Sequence, residues 1–198
     1  MIAFLLMAAM NKPVDDLAQK VIRAYGDWTH VASFQQSGRV VPAMGGGEGK
    51  LTREWTRPDK LTVEIAYPTH TEVRIVDGDH GTQNGKAAAG MGLDAMRLQA
   101  ARLALPILLA EKRAALRSAG PNSIEVPLDG NMTVTIEIDP ATGHITKSTG
   151  RAEGIEFTTT YADFRSVDGL LFAFREENTA MRMPTGTNRL DSVSVRKR

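Results

Sequence analysis

Two blocks of residues that alternate between apolar and polar enclose one block with helical spacing, and this order constrains the fold. In the first block Leu51 and Trp55 alternate with polar residues, and 61–67 repeats the pattern. Alternation with a period of two is typical of strands that have one buried face. Turns as short as Asp77-Gly78-Asp79 leave no room for a crossover connection. We therefore expect neighbouring strands to be antiparallel.

Helical spacing dominates in two places. From Pro13 to about Trp28 apolar residues recur every three or four positions, which predicts an amphipathic helix with one buried stripe. A second helical block runs from Leu93 to Ala119, and Pro106 inside it predicts two helices or one kinked pair. Such a pair can tilt as a flap over the strands.

Strand patterns return from Ile124 and continue to the C-terminal residues. Counting the alternating segments on both sides of the helical block gives about eleven strands and three helices. The sequence therefore predicts one α+β domain with a large, strongly twisted antiparallel sheet.

Residues 1–12 form the one candidate targeting segment, because Ile2 to Met10 is an unbroken apolar run. The run is too short to span a bilayer, and it lacks the preceding basic residues that a secretory signal carries. We expect either a truncated export signal or an N-terminal extension that packs as an apolar first turn. Residues 13–198 then make up the single domain.

Charge and composition argue against several classes of function. Lysine and arginine number 24 against 23 acidic residues, so no basic field is available to hold nucleic acid. The absence of cysteine excludes disulfides, thiolate metal sites and cysteine nucleophiles, and the four histidines lack metal-binding spacing. The glycines of Gly45–Lys50 do not complete a phosphate loop, because Met44 stands at the first glycine position. We expect no metal, no cofactor and no catalytic activity.

A sheet of this size has more inner face than three modest helices can fill, so either it closes on itself or it leaves a hollow. The strand residues that would line an apolar hollow are Leu51, Trp55, Leu61, Val63, Ile65, Tyr67, Val134, Ile136, Ile138, Phe157 and Tyr161. The helical residues that would cover it are Met91, Leu93, Met96, Leu103, Leu108 and Leu109. The alternative is that the same residues pack together as a dry core.

Arg57 ends a predicted strand on the same side as Leu51 and Trp55. A guanidinium on the apolar side needs hydrogen-bond acceptors. Backbone carbonyls at the end of a covering helix could supply them, and Arg57 would then latch the sheet to its lid. The alternative is an arginine at the rim of the sheet whose charged end reaches water.

The segment Gly49–Leu61, with Arg57-Pro58 near its end, resembles the periplasmic lipoprotein carriers of the LolA/LolB-like superfamily. Tyr67-Pro68, Val76-Asp77-Gly78 and Tyr161-x-Asp163-Phe164 follow in a similar order. The resemblance implies an incomplete antiparallel β-barrel, helices that cover its open side as a lid, and a cavity for acyl chains. It also implies that the arginine of the Arg-Pro motif, here Arg57, holds the lid closed through the lid backbone. Without a cysteine for lipid attachment, we do not expect the membrane-anchored type.

The function that these patterns and the resemblance predict is non-enzymatic binding of lipid, acyl chains or lipoprotein by an exported, periplasmic protein. Its partners would be a lipid or an acylated lipoprotein, together with a membrane or an envelope protein, and no nucleic acid. The alternative is an envelope protein–protein interaction or sensing module with a filled core. A hydrolase acting on lipid or glycan has no residue set to support it.

Overall fold

The computed structural model describes residues 12–198, and the proposed signal or extension therefore lies, except for Lys12, outside the described residues. Three α-helices and one sheet make up this part of the chain. The helices are α1 (Lys12–Tyr25), α2 (Gly90–Leu103) and α3 (Leu105–Glu111), followed by a single 3-10 turn (Arg113–Ala115). The strands are β1 (Val31–Pro42), β2 (Gly49–Thr56), β3 (Lys60–Ala66), β4 (Thr71–Asp77), β5 (His80–Gln83), β6 (Lys86–Ala87), β7 (Arg117–Gly120), β8 (Ser123–Pro127), β9 (Thr133–Ile138), β10 (Ile145–Ala152), β11 (Ile155–Val167), β12 (Leu170–Ala180) and β13 (Met183–Lys197).

All thirteen strands belong to one antiparallel sheet, in the order β6-β5-β4-β3-β2-β1-β13-β12-β11-β10-β9-β8-β7. Strands that are neighbours in the sheet are also neighbours in the chain, except where β1 pairs with β13 from Val31↔Lys197 to Pro42↔Gly186. The two edges are β6 and β7, which do not pair with each other, so the sheet is an open, incomplete barrel. The chain between these edges contains α2 and α3. Helix α2 contacts β4 and β5 in one half of the sheet and β9–β11 in the other, so it lies across the concave side of the open barrel.

The predicted number of about eleven strands was wrong, because β6 and β7 are additional. These edge strands have two and four residues, and most of their side chains are exposed. Edge strands of this kind carry no alternation of apolar and polar residues that a sequence could reveal. The helical block is shorter than predicted for the same reason, since β7 begins at Arg117, before Ala119.

The three predicted helices are present, and the break at Pro106 separates α2 from α3. Pro106 is the second residue of α3, where its missing N–H removes no helical hydrogen bond. Helix α1 ends at Tyr25 rather than near Trp28, because Gly26 adopts a left-handed conformation with φ +82°. A Cβ at Gly26 would lie 2.2 Å from the Gly169 carbonyl oxygen, so glycine is required at this turn.

The sheet has two distinct ends. One end holds the β2–β3 and β11–β12 turns, and we call it the closed end because α1 and α3 pack there. Its core is an aromatic cluster in which Trp28 contacts Phe34 and Phe172, with ring centroids 5.6 and 4.9 Å apart, and Phe34 stacks on Trp55. We call the opposite end, which holds the β1–β2, β10–β11 and β12–β13 turns and the start of α2, the open end.

Candidate functional site

A cavity of about 340 Å³ lies between α2 and the concave face of the sheet, toward the open end. Strands from both halves of the sheet contribute to its wall, from β1–β5 and from β11–β13. Helix α2 covers it with side chains spaced three and four residues apart, which places them on one helical face. The α2 residues that line the cavity are Gly92, Ala95, Met96, Gln99, Arg102 and Leu103.

The structure divides the predicted cavity residues into three groups. Those that line the cavity are Ile65, Tyr67, Met96, Leu103, Phe157 and Tyr161. Those buried in the core that line neither this cavity nor the smaller hollow are Leu51, Leu61, Val63, Leu109, Val134, Ile136 and Ile138. Trp55 and Leu108 line a smaller hollow of about 100 Å³ at the closed end, Leu93 packs half-buried on the core, and Met91 is 65% exposed.

The floor of the cavity is an ion pair that the sequence analysis did not single out. The Arg53 guanidinium donates two hydrogen bonds to the Glu176 carboxylate, one of them 2.9 Å long, and a third to the amide oxygen of Gln36. Asn188 donates a further hydrogen bond of 2.8 Å to Glu176. The Arg53 and Glu176 side chains are only 3% and 7% exposed, so both charges are satisfied inside the protein.

Curvature of the sheet brings Arg53 and Glu176 together. Arg53 lies on β2 and Glu176 on β12, with β1 and β13 between them. Three strand spacings amount to about 14 Å along a flat sheet, which is too far for a hydrogen bond between the two side chains. Because the sheet curls, the pair crosses its concave face along a shorter line and forms a polar layer between the closed end and the cavity.

Helix α2 adds a second arginine, Arg102, to this layer. Its Nε donates to the Leu98 carbonyl oxygen over 3.3 Å, and its Nη1 donates to the Thr159 hydroxyl over 3.1 Å. The Tyr161 hydroxyl lies 2.7 Å from the Ser148 hydroxyl. From here we call Arg53, Arg102, Tyr161, Glu176 and Asn188 the polar floor, since all five line the cavity.

Burial and charge shift three pKa values in the polar floor. Burial alone would raise the pKa of Glu176, but attraction and hydrogen bonds from Arg53, with help from Asn188, lower it below the ordinary value of glutamate. Burial lowers the pKa of Arg102 and raises the pKa of the Tyr161 phenol. The site therefore holds an ionised carboxylate and a neutral phenol, while the charge on Arg102 is stabilised less than in water.

Arg57 lies at the closed end, next to the covering helices. Its Nε and Nη2 donate to the carbonyl oxygens of Val31 and Trp28 over 3.1 and 3.2 Å, and its Nη1 forms an ion pair with Glu111. Glu111 is the last residue of α3. The acceptors that the structure places around Arg57 are thus two carbonyls next to β1 and one helical carboxylate.

Four exposed methionines lie in turns and at element ends at the open end of the sheet, close in the chain or by hydrogen bonding to residues that line the cavity. Met91 precedes Gly92 of the lining, and Met181 and Met183 flank the β12–β13 turn. Met44 follows Ala43, whose backbone N–H donates to the carbonyl oxygen of the lining residue Thr185. Their exposed fractions lie between 59% and 92%, and we refer to Met44, Met91, Met181 and Met183 as the methionine rim.

Within residues 12–198, histidine and acidic side chains do not form a group of three or more that could hold a metal ion. The helices in this same part of the chain are too short or too polar to cross a membrane.

The sequence contained a signal for Arg53, because it alternates in phase with Leu51 and Trp55 and so faces the inside of the sheet. An arginine at such a position requires a buried partner. The sequence did not indicate that this partner is Glu176, which is 123 positions away in the chain. Arg102 carried no signal, because it follows a helical pattern in which arginine is ordinarily solvated.

An open antiparallel sheet, helices that connect its two edges, and a cavity between them define an incomplete barrel with a helical lid. A LolA superfamily protein from Nitrosomonas europaea has this fold, with a TM-score of 0.56, 9% sequence identity, and 92% of this chain and 93% of that chain covered. The chain therefore has a LolA-like fold, as the sequence resemblance predicted.

Two more solved structures are similar over nearly the whole chain. A domain from Vibrio parahaemolyticus assigned to outer membrane lipoprotein sorting has a TM-score of 0.47 and 8% identity, with 92% of both chains covered. A DUF1329 family protein from Desulfovibrio piger has a TM-score of 0.49 and 8% identity, covering 94% of this chain and 93% of that one. Comparison with protein-family models and with curated sequences finds no match.

Proposed function

We propose that this protein is a non-enzymatic periplasmic carrier that binds a lipid, an acyl chain or an acylated lipoprotein between the sheet and α2. The observation that carries the proposal is the cavity of about 340 Å³ under a helical face. Ligand pockets in proteins usually start at about 300 Å³, so this one is large enough for a small ligand or part of a chain. The similarity in fold to a LolA superfamily protein supports the periplasmic location and the class of ligand.

The driving force for binding is the removal of hydrocarbon from water. Ile65, Met96, Leu103 and Phe157 provide apolar surface around the cavity. Each methylene group that is buried contributes about 0.8 kcal/mol, so even a chain that is only partly enclosed binds usefully. Methionine adapts its shape to the ligand, and the methionine rim at the entrance suits chains of different length.

The lid is the element that would control entry. Helices α2 and α3 follow each other at Ala104, and Glu111 of α3 is paired with Arg57. We assign to Arg57 the role of a latch, which holds α3 against the closed end until the pair is broken. A membrane or an envelope protein would supply the contact that opens the lid.

Filling the cavity tests the proposal directly. Ala95 faces the cavity from α2, so we expect Ala95→Phe to occupy part of the space and to reduce the amount of lipid bound, with the fold unchanged. Native mass spectrometry of gently purified protein, followed by reloading of delipidated protein with an acyl chain, measures this amount. Ala114→Phe is the matched control, because Ala114 is exposed on the 3-10 turn. Equal loading of both variants and the wild type would place the lipid elsewhere.

A docking module is the second candidate, and it is favoured by the burial of ten predicted cavity residues in the core, seven of which line neither hollow. Such a protein would hold an envelope partner on its surface and leave the cavity empty. Wild-type protein that contains no lipid, refuses added acyl chains and still retains one partner in stoichiometric amount would support this candidate over the carrier.

A further inference from the structure

The polar floor forms the inner end of the cavity, and apolar side chains of β11 and α2 line it farther out. Lining residues on β11, β12, β13 and α2 follow one another from the polar floor toward the open end. On β11 the order is Tyr161, Thr159, Phe157, and on α2 it is Arg102, Gln99, Met96. The methionine rim follows at the open end. Toward the entrance the lining is mixed, because Phe157 and Met96 occur together with the polar side chains of Thr179 and Thr185. A ligand chain that extends outward from the polar floor therefore finds apolar contacts along β11 and α2.

The side chains around the cavity also carry an excess of positive charge. Three arginines line it, Arg53, Arg74 and Arg102, against two glutamates, Glu72 and Glu176. Arg53 and Glu176 satisfy each other in a two-bond pair. This leaves two arginines against Glu72 for any ligand that enters.

Arg102 is the cation best placed to receive an anion. A guanidinium group has five N–H donors. The two acceptors of the Arg102 guanidinium, the Leu98 carbonyl and the Thr159 hydroxyl, are both neutral. Within residues 12–198 it forms no ion pair with a carboxylate, although burial lowers its pKa. The Nε of Arg74, across the cavity, is buried and has no hydrogen-bond partner in this part of the chain. An anion would satisfy donors that the protein itself leaves open.

We propose that Arg102 binds the anionic group of an amphiphile that enters the cavity head first, with its chain extending past Phe157 and Met96 to the methionine rim. The planar guanidinium matches a carboxylate or a phosphate, and hydrogen bonds made inside a partly enclosed cavity are stronger than those made in water. This inference rests on the proposed function and specifies its ligand: a fatty acid carboxylate or the phosphate of a lipid headgroup.

Three probes with the same chain separate the headgroup from the tail. Dodecanoate and dodecyl phosphate carry the two anions, and dodecanol carries none. Isothermal titration should show that wild-type protein binds one or both anions at least about tenfold more tightly than dodecanol, the range expected for charge-assisted hydrogen bonds. Whichever anion binds more tightly identifies the headgroup chemistry, and titration of inorganic phosphate alone shows how much the chain contributes.

Variants of Arg102 test whether this residue is responsible. Arg102→Gln should remove the preference for the anions and leave dodecanol affinity nearly unchanged, whereas Arg102→Lys should keep part of the preference because it retains the charge. Arg97→Gln is the matched control, since Arg97 lies on the same helix but lines the smaller hollow at the closed end. If Arg102→Gln does not fold, the affinities for the anions and for dodecanol are compared between Arg102→Lys and the wild type. This comparison still tests whether Arg102 is responsible for the preference.

The orientation of the chain is a separate readout. The chain contains no cysteine, so Met183→Cys provides a single attachment site for a fluorophore at the methionine rim. Stearate with a nitroxide near its methyl end should quench this fluorophore more than stearate with a nitroxide near its carboxylate. The opposite order would show tail-first binding and would overturn the proposal.

The possible failures are distinguishable. Equal wild-type affinity for dodecanol and both anions overturns the headgroup site and leaves acyl-chain binding intact. Loss of the anion preference in Arg97→Gln but not in Arg102→Gln also overturns it. No binding of any probe overturns the carrier function itself.

Discussion

At the scale of single residues, the Arg53–Glu176 pair combines stability with position. Both side chains are almost fully buried, and Gln36 and Asn188 add one further hydrogen bond each, to Arg53 and to Glu176. A buried ion pair adds little stability compared with apolar residues, but loss of one partner leaves an uncompensated charge. The pair therefore holds the polar floor in place, because each buried charge needs the other as its partner.

Glu176→Gln should destabilise the protein strongly, by about 3 kcal/mol, because Arg53 would keep its charge without a carboxylate. Chemical denaturation of both proteins measures the difference in the free energy of unfolding. Glu177→Gln, on the neighbouring exposed Arg175–Glu177 pair, is the control and should change stability by less than about 1 kcal/mol. Similar effects of the two substitutions would mean that Glu176 is not buried with a charge.

The pH dependence of this contribution follows from the lowered pKa of Glu176. A carboxylate with a folded-state pKa below its unfolded value contributes stability above the unfolded pKa and loses it as pH falls through the folded pKa. The difference between wild type and Glu176→Gln should therefore be constant near neutrality and shrink only in the acid range. A difference that stays constant at acid pH would contradict a lowered pKa.

At the scale of elements, α2 is a lid with two packed sides. One face lines the cavity, while Leu98 and Ala100 on other faces are buried, with Leu98 lying against Gly150 of β10. The following helix, α3, is held at the closed end through Glu111 and Arg57. The lid is thus anchored on β10 and at α3, and another of its faces covers the cavity.

Glu111→Gln should accelerate ligand exchange, because it breaks the proposed latch and retains the hydrogen bonds from Arg57 to Trp28 and Val31. The cost in stability should stay below about 1 kcal/mol, since Glu111 is 54% exposed. Stopped-flow displacement of a fluorescent fatty acid measures the exchange rate. Arg57→Leu should accelerate exchange at least as much and also cost stability, because two buried carbonyls lose a donor.

The control for the latch is Arg165→Gln, which breaks an exposed ion pair with Asp163 away from the lid. We expect wild-type exchange kinetics for this variant. Exchange rates in Glu111→Gln and Arg57→Leu that equal those of Arg165→Gln, with the fold intact, would remove Arg57 from the latch role.

At the scale of the whole molecule, the β1–β13 pairing makes two half-sheets into one curved surface. Without it, β1–β6 and β7–β13 would be separate sheets, and the cavity that both line would not exist. A register shift between Ser37 and Gly38 interrupts this pairing. Gly38 permits the close approach, because a Cβ there would lie 2.1 Å from the Arg189 carbonyl oxygen.

Gly38→Ala should therefore lower stability by about 1–3 kcal/mol, because a backbone contact has to give way at the central joint of the sheet. Gly92→Ala is the matched control: a Cβ there meets nothing within 4 Å, and alanine favours the helix. Thermal unfolding should show a lower Tm for Gly38→Ala and an equal or higher Tm for Gly92→Ala. An unchanged Tm for Gly38→Ala would show that the joint tolerates a side chain.

Much of the fold could be predicted from the sequence, because the signals are local. The alternation through Leu51, Trp55, Leu61 and Ile65 revealed inner strands, and Pro106 revealed the break in the lid, since each depends only on neighbours in the chain. The edge strands β6 and β7 could not be predicted, because exposed strands carry no alternation of apolar and polar residues. The C-terminal end of α1 could not be predicted, because it depends on the close approach of Gly26 to Gly169, which is distant in the chain.

The sequence by itself determined which residues form strands and helices and which faces turn inward, because backbone sterics and side-chain period act over a few residues. Only the tertiary structure decided which inward residues border open space. Leu51 and Ile65 share one face and one pattern and are both buried, yet Ile65 borders the cavity and Leu51 does not. Curvature of the sheet and the meeting of Arg53 with Glu176 make this difference, and both depend on contacts that form only when the two halves of the chain join at β1 and β13.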